Sequence, residues 1–371
     1  MQVQRITTLR QFDALRSDWN RLADTVPFRK WEWLRAWWVH FRQRHQLFVL
    51  VVRDDNQQTI GIAPWFLEKS FSSGRLVRFL GSGKVCSDYL SLLCEQSDQD
   101  GVAQAIAMWL IEAHSSGSQR SVDGEWELLR LTGIEIGDPA IERLKHHLAE
   151  LGAAVYERPS TSCWRIAIPE TWDEYLAARP RPYRRKIRRL KEKMLDNGRA
   201  CGRLVIERRE VHRLFETLVE LHQRRRESLH QRGCFKTPAF HDFLFDVVDQ
   251  FCETEHLYFA ELTIDGQTAA ASVGLIFDNV NYIYQCGMSP ELSRCQPSWL
   301  MNTYTVQHAI RNQLCGVDFL CGDEPYKAHL GARPVRMVQV RVAAPRPLAS
   351  LRHQLWLGGE RLKHWLHPTT R

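Results

Sequence analysis

At 371 residues and 43.3 kDa the chain is longer than most single domains, so two domains of roughly 150–200 residues each are the starting expectation. A hydrophobic content of 44% with 10% aromatics is ample for packed cores and excludes disorder on a large scale. The opening residues lack the apolar centre of a signal peptide, and no run reaches the roughly 18 apolar residues of a spanning helix, which points to a cytoplasmic protein.

In chain order, residues 8–23 place Leu9, Phe12, Leu15, Trp19 and Leu22 at spacings of three and four, the mark of a helix with one apolar face. The run from Trp31 to Phe41 repeats that pattern with Trp31, Leu34, Trp38 and Phe41, a density of tryptophan that belongs in a core. Residues 48–52 and 60–67 flank the turn residues Asp54, Asp55 and Asn56 and form a hairpin. Strands over 76–80 and 89–94, a helix over 101–113, a strand over 126–131, a helix over 139–151 and strands at 155–156 and 163–168 complete a mixed first half.

From Trp172 the chain turns helical and basic until Asn197 and Gly198 stop it. The net charge of +7 gathers there, on Arg181, Arg184, Arg185, Lys186, Arg188, Arg189, Lys191 and Lys193, opposite an apolar stripe of Tyr183, Ile187, Leu190 and Met194. Such a face is solvated, or it attracts an anionic cofactor or polymer; the lack of interleaved aromatics argues against stacking on single-stranded nucleic acid. A short strand near 204–207 and helices over 211–230 and 238–252 follow, the second capped by Thr237 before Pro238. A meander then runs over 256–264, 267–277 and 280–286, with Asp265-Gly266 as its strongest turn signal. The tail from Pro345 is basic and rich in Trp and Leu. The ten cysteines contain no C-x-x-C pair and sit mostly in apolar runs, which fits buried thiols rather than a metal site or a disulfide frame.

The stretch from Asn279 to Gly331 carries most of the chemistry. Strand, polar loop and a helix opening at Pro297-Ser298 present unpaired N–H groups to an anion such as a pyrophosphate. A return strand through Asp318 then reaches Gly322, Asp323, Glu324, Pro325, Tyr326 and Lys327, two carboxylates, a phenol and an amine behind one strand end. Both halves read as helices, hairpin, strand, helix and strand, which suggests a duplicated fold.

That element order is similar to the GNAT acyltransferase fold. The phrases PFRKWEWLRAWWVHF, IGIAPWFL, RFLGSGKVCSDYLSLL, YQCGMSP and VDFLCGDEPYKAHLGA further resemble the CelD/BcsL family of presumed acetyltransferases, linked to cellulose and exopolysaccharide production and related to Fem-type aminoacyl transferases. The resemblance implies an α/β protein of two tandem GNAT-like domains, each a mostly antiparallel sheet flanked by helices, over residues 1–165 and 166–345, with a basic tail over 346–371. It implies acyl transfer, acetyl-CoA dependent, to an amine or hydroxyl of a saccharide or envelope precursor, without a metal. In GNAT enzymes the donor loop is commonly glycine-rich, and here residues 288–297 contain no glycine. Two rivals stand beside this reading: aminoacyl transfer from charged tRNA, and a catalytically silent scaffold in a polysaccharide synthesis complex.

Acyl transfer needs a base, a donor for the oxyanion and a wall against water. Glu324 is the better expected base, because Asp323 suits a cap for the helix at Pro325. Lys327, resembling a lysine after a comparable strand in Fem-type enzymes, is expected on the oxyanion or on a substrate anion, or else paired with a neighbouring carboxylate. Tyr326 is a proton donor to the leaving thiolate or a packing ring, and Asp318 a cleft carboxylate or a structural one. Cys286, Gly287, Gln296, Pro297, Ser298 and Trp299 are expected along the donor. Asp88 and Tyr89, after a glycine-containing loop, and His222 and Arg225, on the helix before the meander, are expected to contact the acceptor.

Overall fold

The computed structural model describes residues 1–70, 74–112 and 126–366; residue 113 of the expected helix over 101–113 and residues 367–371 of the tail lie outside them. The first half runs β1 (Gln2–Ile6), α1 (Leu9–Ala14), α2 (Arg16–Leu22), α3 (Trp31–Phe41), β2 (His45–Leu47), β3 (Val49–Arg53), β4 (Thr59–Ala63), β5 (Trp65–Ser70), β6 (Gly74–Phe79), β7 (Leu93–Cys94), α4 (Gln99–Glu112), β8 (Leu128–Glu135), α5 (Pro139–Glu150) and β9 (Ala154–Pro159). The second runs β10 (Cys163–Ala167), α6 (Trp172–Ala177), α7 (Arg181–Leu190), β11 (Ala200–Leu204), α8 (Arg208–Ser228), α9 (Pro238–Phe251), β12 (Leu257–Ile264), β13 (Gln267–Phe277), β14 (Val280–Met288), α10 (Pro297–Arg311), β15 (Gly316–Cys321), α11 (Pro325–Leu330), β16 (Arg333–Val335), β17 (Met337–Ala343) and α12 (Pro347–Leu366).

Local chemistry explains the boundaries. The helix expected over 8–23 breaks into two at Leu15, whose N–H bonds Phe12 O at 3.1 Å and closes a tighter turn. Thr8 caps the first piece through a reciprocal box with Gln11. Asp265-Gly266 and Asp278-Asn279 all take positive φ, the paired left-handed geometry that matches the twist of a two-residue hairpin. The cap expected from Thr237 is positional only, since its side chain makes no capping bond.

Seven strands of the second half form one sheet in the order β11-β12-β13-β14-β15-β10-β16. In the first half the chain passes through Phe48 and Pro64 from the sheet β1-β3-β4-β7 into the sheet β2-β5-β6-β8-β17-β9, so the two form a bent continuation of one another. Pairing is antiparallel except at one seam in each half: Leu76 and Val77 against Leu128 and Leu129, and Val280, Asn281 and Tyr282 against Gly316, Val317 and Asp318. Beyond Tyr282 the two strands part. A bulge leaves Tyr284 unmatched as the register passes from Val273 opposite Gln285 to Gly274 opposite Ile283, which bends β14 away.

The halves are interleaved. β10 lies between β15 and β16 in the second sheet, whereas β17 returns to lie between β8 and β9 in the first. The boundary expected at residue 165 therefore falls inside a strand of the second sheet, and part of the segment expected in the second domain completes the first. Aromatic rings bridge the units as well: Trp33 meets Phe243 and Tyr284 edge-on at 5.0 and 4.8 Å, and one core joins Trp33 and Phe28 to Phe215 and Phe259. The tryptophans of α3 are core, with Trp33 1% exposed.

Ending the chain at Arg336 removes β17 and leaves facing edges of β8 and β9 unpaired. Such a truncation is expected to lose the near-UV circular dichroism of the packed tryptophans and to aggregate. A truncated chain with the parent spectrum and the parent midpoint of unfolding would contradict that interdependence.

Candidate active site

Where β14 and β15 part, two cavities open back to back. The larger, about 560 Å³, is lined among others by Cys286, Ser298, Trp299, Asn302, Tyr326 and Arg225. The smaller, about 360 Å³, is lined among others by Lys84, Asp88, Arg232, Cys234 and Phe240. His222, Arg226, Tyr284, Gln285, Phe319 and Cys321 border both. The smaller cavity thus brings Asp88 of the first half against α8 and β14 of the second.

The floor of this cleft is built on Asp318, which is fully buried. Its Oδ2 accepts from the Tyr89 hydroxyl at 2.6 Å and from Arg165 Nε at 2.8 Å, and its Oδ1 accepts from the Leu320 N–H at 2.8 Å. Burial opposes the Arg165 charge, but the Asp318 carboxylate outweighs it and raises that guanidinium's pKa further. The same burial, with the Asp318 charge beside it, pushes the Tyr89 phenol well above its ordinary value. Tyr89 and Leu320 both take left-handed φ, 59° and 56°, conformations that side-chain-bearing residues hold only when surroundings enforce them. Asp318 and Tyr89 therefore form the floor, and neither lines the two cavities.

Lys327 differs from the expected oxyanion or substrate ligand. Its ammonium, 2% exposed, donates to Leu320 O at 3.0 Å, Cys321 O at 3.3 Å and Gly322 O at 2.9 Å, and pairs with Glu324 at 2.9 Å. Three donors are all that an ammonium has, so this one clamps the turn after β15. Glu324, expected as the base, is the residue that precedes α11 and is tied to Lys327, while Asp323 accepts from Trp164 Nε1 at 3.0 Å instead of capping the helix. Tyr326, 39% exposed, lines the larger cavity; burial raises its pKa, so the phenol keeps its proton.

On the donor side, Gln296 stands at the start of α10 in a left-handed conformation with Pro297 buried behind it. Ser298 lies inside the first turn, not at the cap, and faces the larger cavity with Trp299. Lys186 of α7 sits 4.0 Å above the Trp299 ring, and the Tyr183 ring lies parallel to it and to His329. Gly287 is required by packing: a Cβ there would stand 2.5 Å from Leu218 O of α8. Cys286 shares a 3.1 Å contact with Ser272 Oγ, and burial raises its thiol pKa. Sequence reading missed Tyr284, Gln285 and Asn302, which carry no local signal. It also missed the role of Lys186, for which the three-residue spacing from Tyr183 was the available clue.

On the acceptor side, Asp88 is 5% exposed and accepts from the Cys321 N–H at 3.0 Å. Burial pushes its pKa up to about 6 against that hydrogen bond, with the Asp318 charge adding to the rise. His222 is 4% exposed; its Nδ1 contacts Gln223 Oε1 at 3.2 Å, an oxygen that only accepts, so Nδ1 carries the proton. Nε2 is left as an acceptor beside Cys234 Sγ at 3.7 Å, and burial lowers the pKa, so the ring is neutral near pH 7. Arg225, expected as an acceptor contact, borders the larger cavity and not the smaller one that holds Asp88. In the first half a cavity beside the starts of α4 and α5 is crossed by the Arg29–Asp138 ion pair at 3.3 Å, which Ser91 Oγ joins at 2.7 Å. Among the described residues no His, Cys, Asp and Glu group is arranged to hold a metal, and no helix is long and apolar enough to cross a membrane.

Residues 181–328, which hold this cleft, match the family described as the acetyltransferase (GNAT) domain, Acetyltransf_6. The match to an acetyltransferase domain supports an acyltransferase enzyme, and the chain has a mixed α/β fold of GNAT-like build. Among solved structures it is similar to FemX, with a TM-score of 0.60, 12% identity and coverage of 95% of this chain and 99% of that one. It is also similar to a conserved protein of unknown function from Bacteroides thetaiotaomicron, with a TM-score of 0.57, 12% identity and coverage of 92% and 99%. A third is the C-terminal domain of a putative lysylphosphatidylglycerol synthetase from Agrobacterium fabrum, with a TM-score of 0.54, 10% identity and coverage of 94% and 95%. At these identities the likeness is one of fold. No curated protein matches the chain.

A carboxyl whose folded pKa of about 6 exceeds the ordinary 3.8 adds stability that is complete below the ordinary value and lost as pH rises through the folded one. Asp88→Asn is therefore expected to raise the stability of the fold at pH 8 by on the order of 2–3 kcal/mol. The gain should vanish near pH 4, as read by denaturant unfolding at the two pH values. Lys327→Met takes the ammonium from three carbonyl oxygens of the turn and should cost roughly 1–3 kcal/mol in the same measurement. Unchanged stability of that variant would remove its role as a clamp.

Proposed function

We propose that the enzyme transfers an acyl group from acyl-CoA, acetyl-CoA foremost, to an amine or hydroxyl on a saccharide or cell-envelope precursor. The observation that carries this reading is the meeting of two cavities at His222, where the GNAT domain's parallel strands part. The larger cavity suits a phosphorylated donor. It is bordered by the first turn of a fifteen-residue helix and by Arg225 and Arg226, with Lys186 stacked on its Trp299 wall. These cations and amides supply anion contacts that a glycine-rich loop supplies elsewhere. The saccharide or envelope acceptor follows from the resemblance to the CelD/BcsL family.

When bound, the thioester supplies the acyl group and releases a thiol. The chain's residues then divide the proton traffic. His222 Nε2, neutral and at the junction, takes the proton from the attacking amine or hydroxyl. Asp88, ionised above about pH 6, holds and orients the acceptor's amine or hydroxyl at the mouth of the junction. Tyr326, whose phenol stays protonated, gives a proton to the departing sulfur. Glu324, Asp323 and Lys327 keep the turn after β15 in shape, and Asp318 with Tyr89 fixes its floor. Tyr284, whose hydroxyl donates to Val85 O at 2.7 Å, ties the first half's loop over the junction and excludes water.

Calorimetric titration with acetyl-CoA should give saturable heat, and His222→Gln should retain that heat while losing about 10²- to 10⁴-fold in kcat/KM. Activity of the parent enzyme should fall as pH drops through about 6, where Asp88 takes up its proton. Folded protein that gives no heat at millimolar acetyl-CoA would sink the donor assignment, and salt-sensitive binding of charged tRNA in its place would favour aminoacyl transfer. Pathway output that survives His222→Gln but not deletion of the protein would favour a scaffold.

A further inference from the structure

A third cavity, of about 390 Å³, lies on the other side of the loop that carries Lys84. It is walled by α3, by His45 of β2, Phe66 of β5 and Arg78 of β6, and by the start of α9 at Thr237 and Ala239. Four buried polar atoms of its lining have no hydrogen-bond partner: Trp37 Nε1, His45 Nδ1, Arg78 Nε and Ser82 Oγ. Trp37 and Ser82 are only 3% and 5% exposed. An orphaned buried polar atom costs roughly 1–3 kcal/mol, and several bordering one space call for a common partner.

The chemistry of the atoms says what that partner presents. An indole N–H and a guanidinium Nε–H can only donate, and a serine hydroxyl can donate. Lys84 adds an ammonium with no ion-pair partner among the described residues. The nearby carboxylates pair with cations of the lining but leave Arg78 Nε unbonded: Glu68 lies 3.5 Å from Arg78 Nη1, 3.8 Å from Arg130 and 3.9 Å from His45, and Asp246 bonds His40 at 2.6 Å. Aromatic walls keep the local dielectric low, with Trp37 4.8 Å from Phe66 and parallel to His45.

We propose that this cavity is a binding subsite for an oxyanion, a carboxylate or a phosphate. Trp37 Nε1, Arg78 Nε and Ser82 Oγ are its donors, and Lys84 is the cation it shares with the acceptor cavity. Because Lys84 lines both spaces, the oxyanion belongs to a ligand that reaches on toward Asp88. That this ligand is the acyl acceptor rests on the reading above, and it makes the acceptor an anionic molecule; the oxyanion binding itself does not depend on that reading.

The test uses the full chain labelled with ¹⁵N, in which the Trp37 indole N–H resonance is the one lost in Trp37→Phe. Titration with inorganic phosphate and, separately, with acetate at constant ionic strength should shift it saturably with millimolar affinity. The anion that binds more tightly identifies the source of the oxyanion. Ser82→Ala and Arg78→Gln should each weaken binding about fivefold, the effect of one lost hydrogen bond. No saturable shift with either anion up to about 50 mM, or equal affinity in parent and Ser82→Ala, would overturn the subsite. Acetyl-CoA calorimetry on the same samples is an independent readout, so loss of one finding leaves the other standing.

Discussion

Everything at the cleft depends on one buried carboxylate accepting from three directions. Asp318 receives a phenol from the first half, a guanidinium from the neighbouring strand β10 and the N–H of its own strand's left-handed Leu320. A lone buried charge is ruinous, but one with three donors, one of them a cation, is satisfied, and removal of any partner leaves the remainder stranded. The site's geometry is thereby coupled to the seam between the halves. Leu320 cannot relax to an ordinary φ without breaking the Asp318 contact, and Cys321, next in line, is the residue whose N–H holds Asp88.

Strand exchange explains why that seam is rigid. A pair of sequential domains would meet through an interface free to slide, as most interdomain contacts are. Here β10 cannot leave the second sheet, nor β17 the first, without exposing two ladder edges each. Arg165 sits on β10 with its guanidinium between the rings of Tyr89 and Tyr282, at 5.3 and 5.5 Å. The cation and its carboxylate tie Tyr89 of the first half to the second sheet, and so hold the Asp88 loop against the cavity that His222 also lines.

Much of the fold was legible because its signals are local. The period of α3, the Asp265-Gly266 turn and the strand-loop-helix around Pro297 each rest on residues within a few positions of one another. What was not legible is set by distance along the chain. Asp323 looked like a cap because Pro325 follows, yet the Trp164 indole, 159 residues away in sequence, claims it. Lys327 was expected on an oxyanion by its resemblance to a Fem-type lysine, yet three carbonyls of a turn it follows by only a few residues hold its protons, and it pairs with Glu324 as the alternative had it. The boundary near 165 failed for a related reason: composition does not change where a strand crosses to another sheet. His222 was noticed as a lone helical histidine, and only the packing of α8 on β14, forced by Gly287, turns it toward the junction.

The distribution of unfavourable terms follows from these constraints. Asp88 is held buried at the mouth of the junction with its pKa pushed up to about 6, whereas the first-half cavity beside α4 and α5 is crossed by the Arg29–Asp138 pair and satisfied internally. One cavity neutralises charge within the protein, and the other leaves a carboxylate and an imidazole facing it. Strain and unpaired polar atoms persist only where the surrounding structure over-determines them. Four such atoms, Trp37 Nε1, His45 Nδ1, Arg78 Nε and Ser82 Oγ, border one cavity beside the Ser82–Tyr89 loop, in which Cys86 and Tyr89 take left-handed φ, and the other side of that loop lines the cavity shared with His222. The first half therefore supplies, through Lys84 and Asp88, one wall of the cavity that His222 lines from the second.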